Sequence, residues 1–133
     1  MNPKQFLTLG GIVLALVGVL GMVGILGPTE GQSLFGSAWW FDPGENWAHL
    51  ILGVVALIAA FALKPDMQKP LTLVVGIVAL AVGVIGFVLP NEVPNFLGAN
   101  LENPLDNILH LIVGLWAVFA WKGAKSGAPM GSM

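Results

Sequence analysis

The sequence has no cysteine, no tyrosine and no arginine, and charged residues fill only 9% of its 133 positions. Each shortage removes a class of function. Without cysteine there is no disulfide, no thiolate nucleophile and no thiolate metal site. Without arginine the basic residues are all lysines, which cannot grip phosphate in a bidentate fashion. With a formal net charge of -2 and no basic patch, nucleic acid is excluded as a partner. An ordinary soluble domain carries about 25% charged residues, so a chain this poor in them would have to show large apolar patches to water. What is abundant instead is hydrophobic residues, at 56%. The lipid bilayer is the expected solvent and first partner.

Four apolar runs fit it, at about 6–26, 47–63, 71–89 and 105–121. A membrane helix needs about 17–25 such residues, and continuous rather than alternating hydrophobicity selects helices over barrel strands. Lys4, Lys64, Lys69, Lys122 and Lys125 then all fall on one side of a four-span layout, while every acid except Asp66 falls on the other. The positive-inside rule places both termini and the 64–69 link in the cytoplasm. Trp39, Trp40 and Trp47 mark the outer edge and Trp121 the inner one, with Trp116 deeper. The first run is expected to stay as a membrane anchor rather than be cleaved as a leader, because it is long for a signal core and no small-x-small site follows.

The second half of the chain repeats the first. Asp42-Pro43-Gly44-Glu45-Asn46-Trp47-Ala48-His49-Leu50-Ile51-Leu52-Gly53 aligns without a gap on Asn103-Pro104-Leu105-Asp106-Asn107-Ile108-Leu109-His110-Leu111-Ile112-Val113-Gly114. Gly11, Gly18 and Gly21 have the spacing of Gly76, Gly83 and Gly86, and Pro28 and Pro90 are expected to close those helices. The expected fold is all-α: a polytopic four-helix bundle of two tandem parallel-repeat hairpins in a single domain, 1–125. Repeat one covers about 5–64, repeat two about 70–122, and 126–133 forms a disordered tail. Gly18, Gly21, Gly53, Gly83, Gly86 and Gly114 are the expected helix-packing positions, since small residues on one face let membrane helices approach closely.

Within the repeated motif, Asp42 and Asn103 are the expected N-caps, with Pro43 and Pro104 at the first helical position. Glu45 and Asp106 stand three residues on, as in a capping box, and suit the positive end of the helix dipole. Asn46 with His49, and Asn107 with His110, share a helix face near the edge of the hydrocarbon, where polar groups are costly unless partnered. Three roles are open for them. They lock the helices by hydrogen bonds to loop backbone or to a neighbouring helix; or Glu45, His49, Asp106 and His110 converge on a divalent metal; or the histidines ligate a haem or another pigment. The leading expectation is the first, with no cofactor and no assigned metal.

On Asn46, His49, Leu50 and Gly53, and again on Asn107, His110, Leu111 and Gly114, the chain resembles small four-helix prokaryotic membrane proteins of unknown function that carry the motif Asn-x-x-His-Leu-x-x-Gly. The resemblance spans about residues 5–122. It implies a prokaryotic plasma membrane and no particular activity. No nucleophile or phosphate loop is apparent, so an enzyme is not expected. The working expectation is a structural or accessory subunit, self-assembling or part of a larger membrane complex. The alternatives are a metal, haem or pigment binder using the paired histidines and, behind it, a small-solute transporter or channel, which the lack of charge in mid-span disfavours.

Overall fold

A computed structural model of the protein describes residues 1–90, 92 and 94–124. Lys125 and the expected tail at 126–133 lie outside the described residues. Helix α1 (Pro3–Met22) starts with a capping box: Gln5 N–H donates to Asn2 Oδ1 and Asn2 N–H to Gln5 Oε1, with Pro3 at the first helical position. It stops at Met22 because Gly24 takes a left-handed conformation (φ +86°) and Ile25 N–H turns back to Leu20 O at 3.1 Å. The expected end at residue 26, closed by Pro28, is therefore corrected: glycine ends the helix first.

Helix α2 (Pro43–Ala62) and helix α3 (Pro65–Val88) are joined by two residues, Leu63 and Lys64. The expected link at 64–69 is helical from Pro65, with Asp66 in the first turn and Pro70 inside the helix. The long-range reason is Gln68, which is buried. Its amide donates to the closing carbonyls of α2, Ala60 O at 2.9 Å and Leu63 O at 3.1 Å. One side chain of α3 thus satisfies the acceptors that α2 leaves open. Helix α4 (Leu105–Lys122) completes the set.

All four helices are long and apolar enough to cross a membrane, and the regular structure among the described residues is helical. Their alternation gathers the chain start, the 63–64 link and the end of α4 at one end of the bundle. The long connections 23–42 and 89–104 lie at the other. The described lysines (Lys4, Lys64, Lys69 and Lys122) belong to the first end; Glu30, Asp42, Glu45, Glu92, Glu102 and Asp106 belong to the second.

α1 lies along α2 and α3 along α4, and the hairpins meet chiefly through α1, which touches both α3 and α4. At the lysine end Phe6 and Leu7 of α1 fill the centre against Ala59, Ala60, Ala117 and Ala120. Phe6 also meets Trp116 edge to face at 4.8 Å, which places that deep tryptophan in a packed position. Toward the acid end the contacts narrow to glycine. A Cβ on Gly11 would stand 2.9 Å from Gly53 O, and one on Gly18 2.8 Å from Asn46 O. In the other hairpin a Cβ on Gly76 would stand 3.2 Å from Gly114 O, and one on Gly83 2.8 Å from Asn107 O. Gly21 and Gly86 leave the notches in which the Asn46 and Asn107 amides rest.

The large apolar residues point the other way. Leu16, Ile58, Phe61, Val84, Leu115 and Phe119 are all exposed, while buried positions within the helices are largely Gly and Ala. Small inside and large outside suits lipid, where close packing replaces hydrophobic drive between helices. The chain is an integral membrane protein.

The Gly21–Asn46 notch gives a double-mutant test. Gly21→Ala should lower unfolding stability in detergent by about 1–3 kcal/mol through overpacking. Combined with Asn46→Ala, which empties the notch, the loss should be clearly smaller than the sum of the single losses.

Candidate functional site

The acid end is built by the loops as much as by the helices. Asp42 caps α2 as expected: its Oδ1 accepts from Glu45 N–H at 2.9 Å, and Glu45 Oε2 accepts from Asp42 N–H at 3.1 Å. Its second oxygen, Oδ2, accepts from Asn100 N–H of the other hairpin's loop at 2.7 Å. Asp106 receives the reciprocal link, from the Trp39 indole Nε1–H of the first loop to Oδ1 at 2.8 Å. Its Oδ2 accepts from Glu102 N–H at 2.8 Å. Each loop therefore lends a donor to the carboxylate at the helix start of the opposite hairpin.

The expected cap at Asn103 is not formed. α4 is entered through Pro104, with no side-chain cap. The Asp106 carboxylate reaches past Asn103 and accepts from Glu102 N–H instead.

The histidines are held by their own helices. His49 Nδ1 lies 2.7 Å from Glu45 O and His110 Nδ1 2.7 Å from Asp106 O. A carbonyl partner requires the proton on Nδ1 in both rings. His49 also stacks on Phe41, with centroids 4.9 Å apart. Asn46 is buried and donates from Nδ2 to Phe41 O at 3.4 Å, with Oδ1 unpartnered. Asn107 is fully buried, and neither of its amide atoms has a partner.

Of the four metal candidates, the structure brings Glu45 and Asp106 together, but with Glu102 rather than with the histidines. One oxygen of each of these three carboxylates lies within 4.8 Å of the others, and all three residues are buried. The sequence reading missed Glu102, Trp39 and Asn100. A signal was present for the first: extending the repeat by one residue pairs Glu102 with Phe41, and both positions are buried. An acid standing where the other repeat buries a phenyl ring marks a site. Trp39 and Asn100 carry no such mark, since their partners are far away along the chain.

Burial first, and then the Asp106 carboxyl group beside it, push Glu102 up to about 10. Asn100 Nδ2 donates to its Oε1, while Oε2 is buried without a partner. Beside it opens a cleft of about 490 Å³ between the two loops, lined by Glu30, Ser37, Trp40, Asn100, Glu102 and Pro104 among others.

No protein-family model, curated protein or solved structure matches the chain.

Two outcomes follow from this geometry. Asp42→Ala should cost about 1–2 kcal/mol of stability through the lost cap, whereas Asn103→Ala should cost close to nothing in the same unfolding assay. In the presence of chelator, the stability that Glu102 contributes should be complete below pH 4.5 and lost progressively as the pH rises toward about 10, because the folded state holds the proton that the unfolded chain gives up. Thermal unfolding of the wild type between pH 5 and pH 9 should show that decline, and Glu102→Gln should flatten it.

Proposed function

We propose that this chain is a non-enzymatic integral membrane module, an accessory or self-assembling subunit. On this reading it is made of two tandem hairpins, with both termini cytoplasmic and a fixed outer face. One observation carries it: each hairpin is closed by glycine contacts between its own two helices, and the hairpins meet at the lysine end on Phe6, Leu7 and alanines, while the buried carboxylates and the interlocked loops are concentrated at the other end. A closed core with a braced end is what a module needs in order to display a surface of constant shape.

The tandem-repeat reading is supported by the matched seats of Asn46 on Gly21 and Asn107 on Gly86. The orientation rests on the described lysines sharing the end opposite the acid loops. A prokaryotic plasma membrane follows from the motif resemblance alone. Transport is the weaker reading, because no span carries a charged residue at its middle. A second reading, ligand binding at the acid end, is favoured by the three converging carboxylates.

The absence of native cysteine makes topology directly measurable. Single substitutions Leu34→Cys, in the exposed first loop, and Lys64→Cys, in the short link, are labelled with a membrane-impermeant maleimide on intact cells. Leu34→Cys should react at once and Lys64→Cys only after permeabilisation; the reverse pattern would invert the orientation. Native mass spectrometry from mild detergent should then find a self-oligomer or a stoichiometric partner. A monomer that never carries a partner would refute the accessory role.

A further inference from the structure

We propose that Glu45, Glu102 and Asp106 form a binding site for a hard divalent cation, and that the cation is calcium. The site is assembled across both hairpins, from the first turn of α2, the end of the second loop and the first turn of α4. It goes beyond the accessory reading, and holds whether or not the chain assembles with others.

Three observations converge. The first is the donor set. Three carboxylates present oxygens within 4.8 Å of one another, and all three residues are more than nine-tenths buried, at 5%, 8% and 3% exposure. The second is the orphan atom. Glu102 Oε2 is buried and has no hydrogen-bond partner, although Oε1 of the same carboxylate takes the Asn100 amide. Without an ion, carboxyl groups this close together keep a proton between them; a cation displaces that proton and satisfies an oxygen surrounded by other acceptors. The third is charge. The described lysines all lie at the opposite end of the bundle, so none of them neutralises these acids.

An all-oxygen donor set selects calcium, magnesium or manganese over zinc or copper. Coordination geometry decides among them. Calcium holds oxygens at about 2.3–2.6 Å, so donors on opposite sides stand about 4.6–5.2 Å apart, against about 4.0–4.2 Å around magnesium. Donors within 4.8 Å of one another and held by structural hydrogen bonds suit calcium's flexible coordination, whereas magnesium demands near-ideal octahedral geometry. Glu45 Oε2 keeps the Asp42 N–H, and each Asp106 oxygen keeps one donor, Trp39 Nε1–H or Glu102 N–H, with a second lone pair left for the ion. Those bonds hold the carboxylates in place in the way outer-shell partners orient metal ligands. Glu102 also lines the cleft between the loops, which supplies an entry path and room for the waters that complete calcium's six to eight ligands.

The test uses the full chain in zwitterionic detergent after chelator treatment. Terbium, a luminescent stand-in for calcium, is titrated in with excitation through the indoles, since Trp39 is bonded to Asp106 and Trp40 lines the cleft. A saturable sensitised emission that calcium displaces is the expected result. Glu102→Gln and, separately, Glu45→Gln should each weaken terbium and calcium binding by about tenfold or more, while Asp66→Asn, at the opposite end, should leave it unchanged. Circular dichroism confirms that each variant keeps its helices. Absence of a saturable signal, or equal affinity in both glutamine variants and the wild type, would overturn the site. Displacement by magnesium as readily as by calcium would overturn the choice of ion.

Discussion

The close approach of paired helices at glycine is the constraint on which the rest of this protein depends. In a bilayer two helices gain little by hiding apolar side chains from lipid, so van der Waals contact between backbones has to supply the attraction. Gly11, Gly18 and Gly21 on α1, and Gly83 and Gly86 on α3, bring their helices so near their partners that a single methyl group would collide with a backbone oxygen or an amide, and at Gly76 the fit is only slightly looser. The bulky residues displaced from these faces become the lipid-facing surface. The same notches decide where asparagine can be buried. Asn46 and Asn107 fill space that any larger residue on the facing helix would have taken.

The buried acids gather at one end, and there polar chemistry is shared between the hairpins. Each of the two helix starts carries a carboxylate that the other hairpin's loop also bonds. The carboxylate capping α2 also holds Asn100 of the second loop, and Asp106 of α4 holds the Trp39 indole of the first. These bonds fix the angle between the hairpins where helix-to-helix contact is thin, and they draw Glu45, Glu102 and Asp106 into one buried group. The histidines, which the motif makes conspicuous, spend their Nδ1 protons within their own helices.

How much of this the sequence revealed followed the range of the interaction. Helix number and type were legible because apolar runs are local and continuous, and the Asp42–Glu45 box was legible because a cap and its partner are three residues apart. The glycine faces were legible because helical spacing puts them on one side. The start of α3 was not, because it depends on Gln68 reaching back to the end of α2. The failure of Asn103 as a cap was hidden for a similar reason: Asp106 answers to Glu102 and Trp39 and not to Asn103. Trp39 lies 67 residues from Asp106, and Asn100 lies 58 from Asp42. No local pattern encodes such pairings, and a site assembled from loops therefore stays dark until the hairpins are set side by side.

The four helices are unequal, and the inequality bears on the surrounding lipid. At about 1.5 Å per residue, the 24 residues of α3 span about 36 Å and the 18 of α4 about 27 Å. The extra length of α3 is its polar beginning, since the apolar run starts only near residue 71. From there to its end α3 is about as long as α4, and both suit a hydrocarbon layer of about 30 Å. The surplus, with Asp66 and Lys69, belongs in the headgroup layer, where charged side chains meet phosphates and water rather than acyl chains.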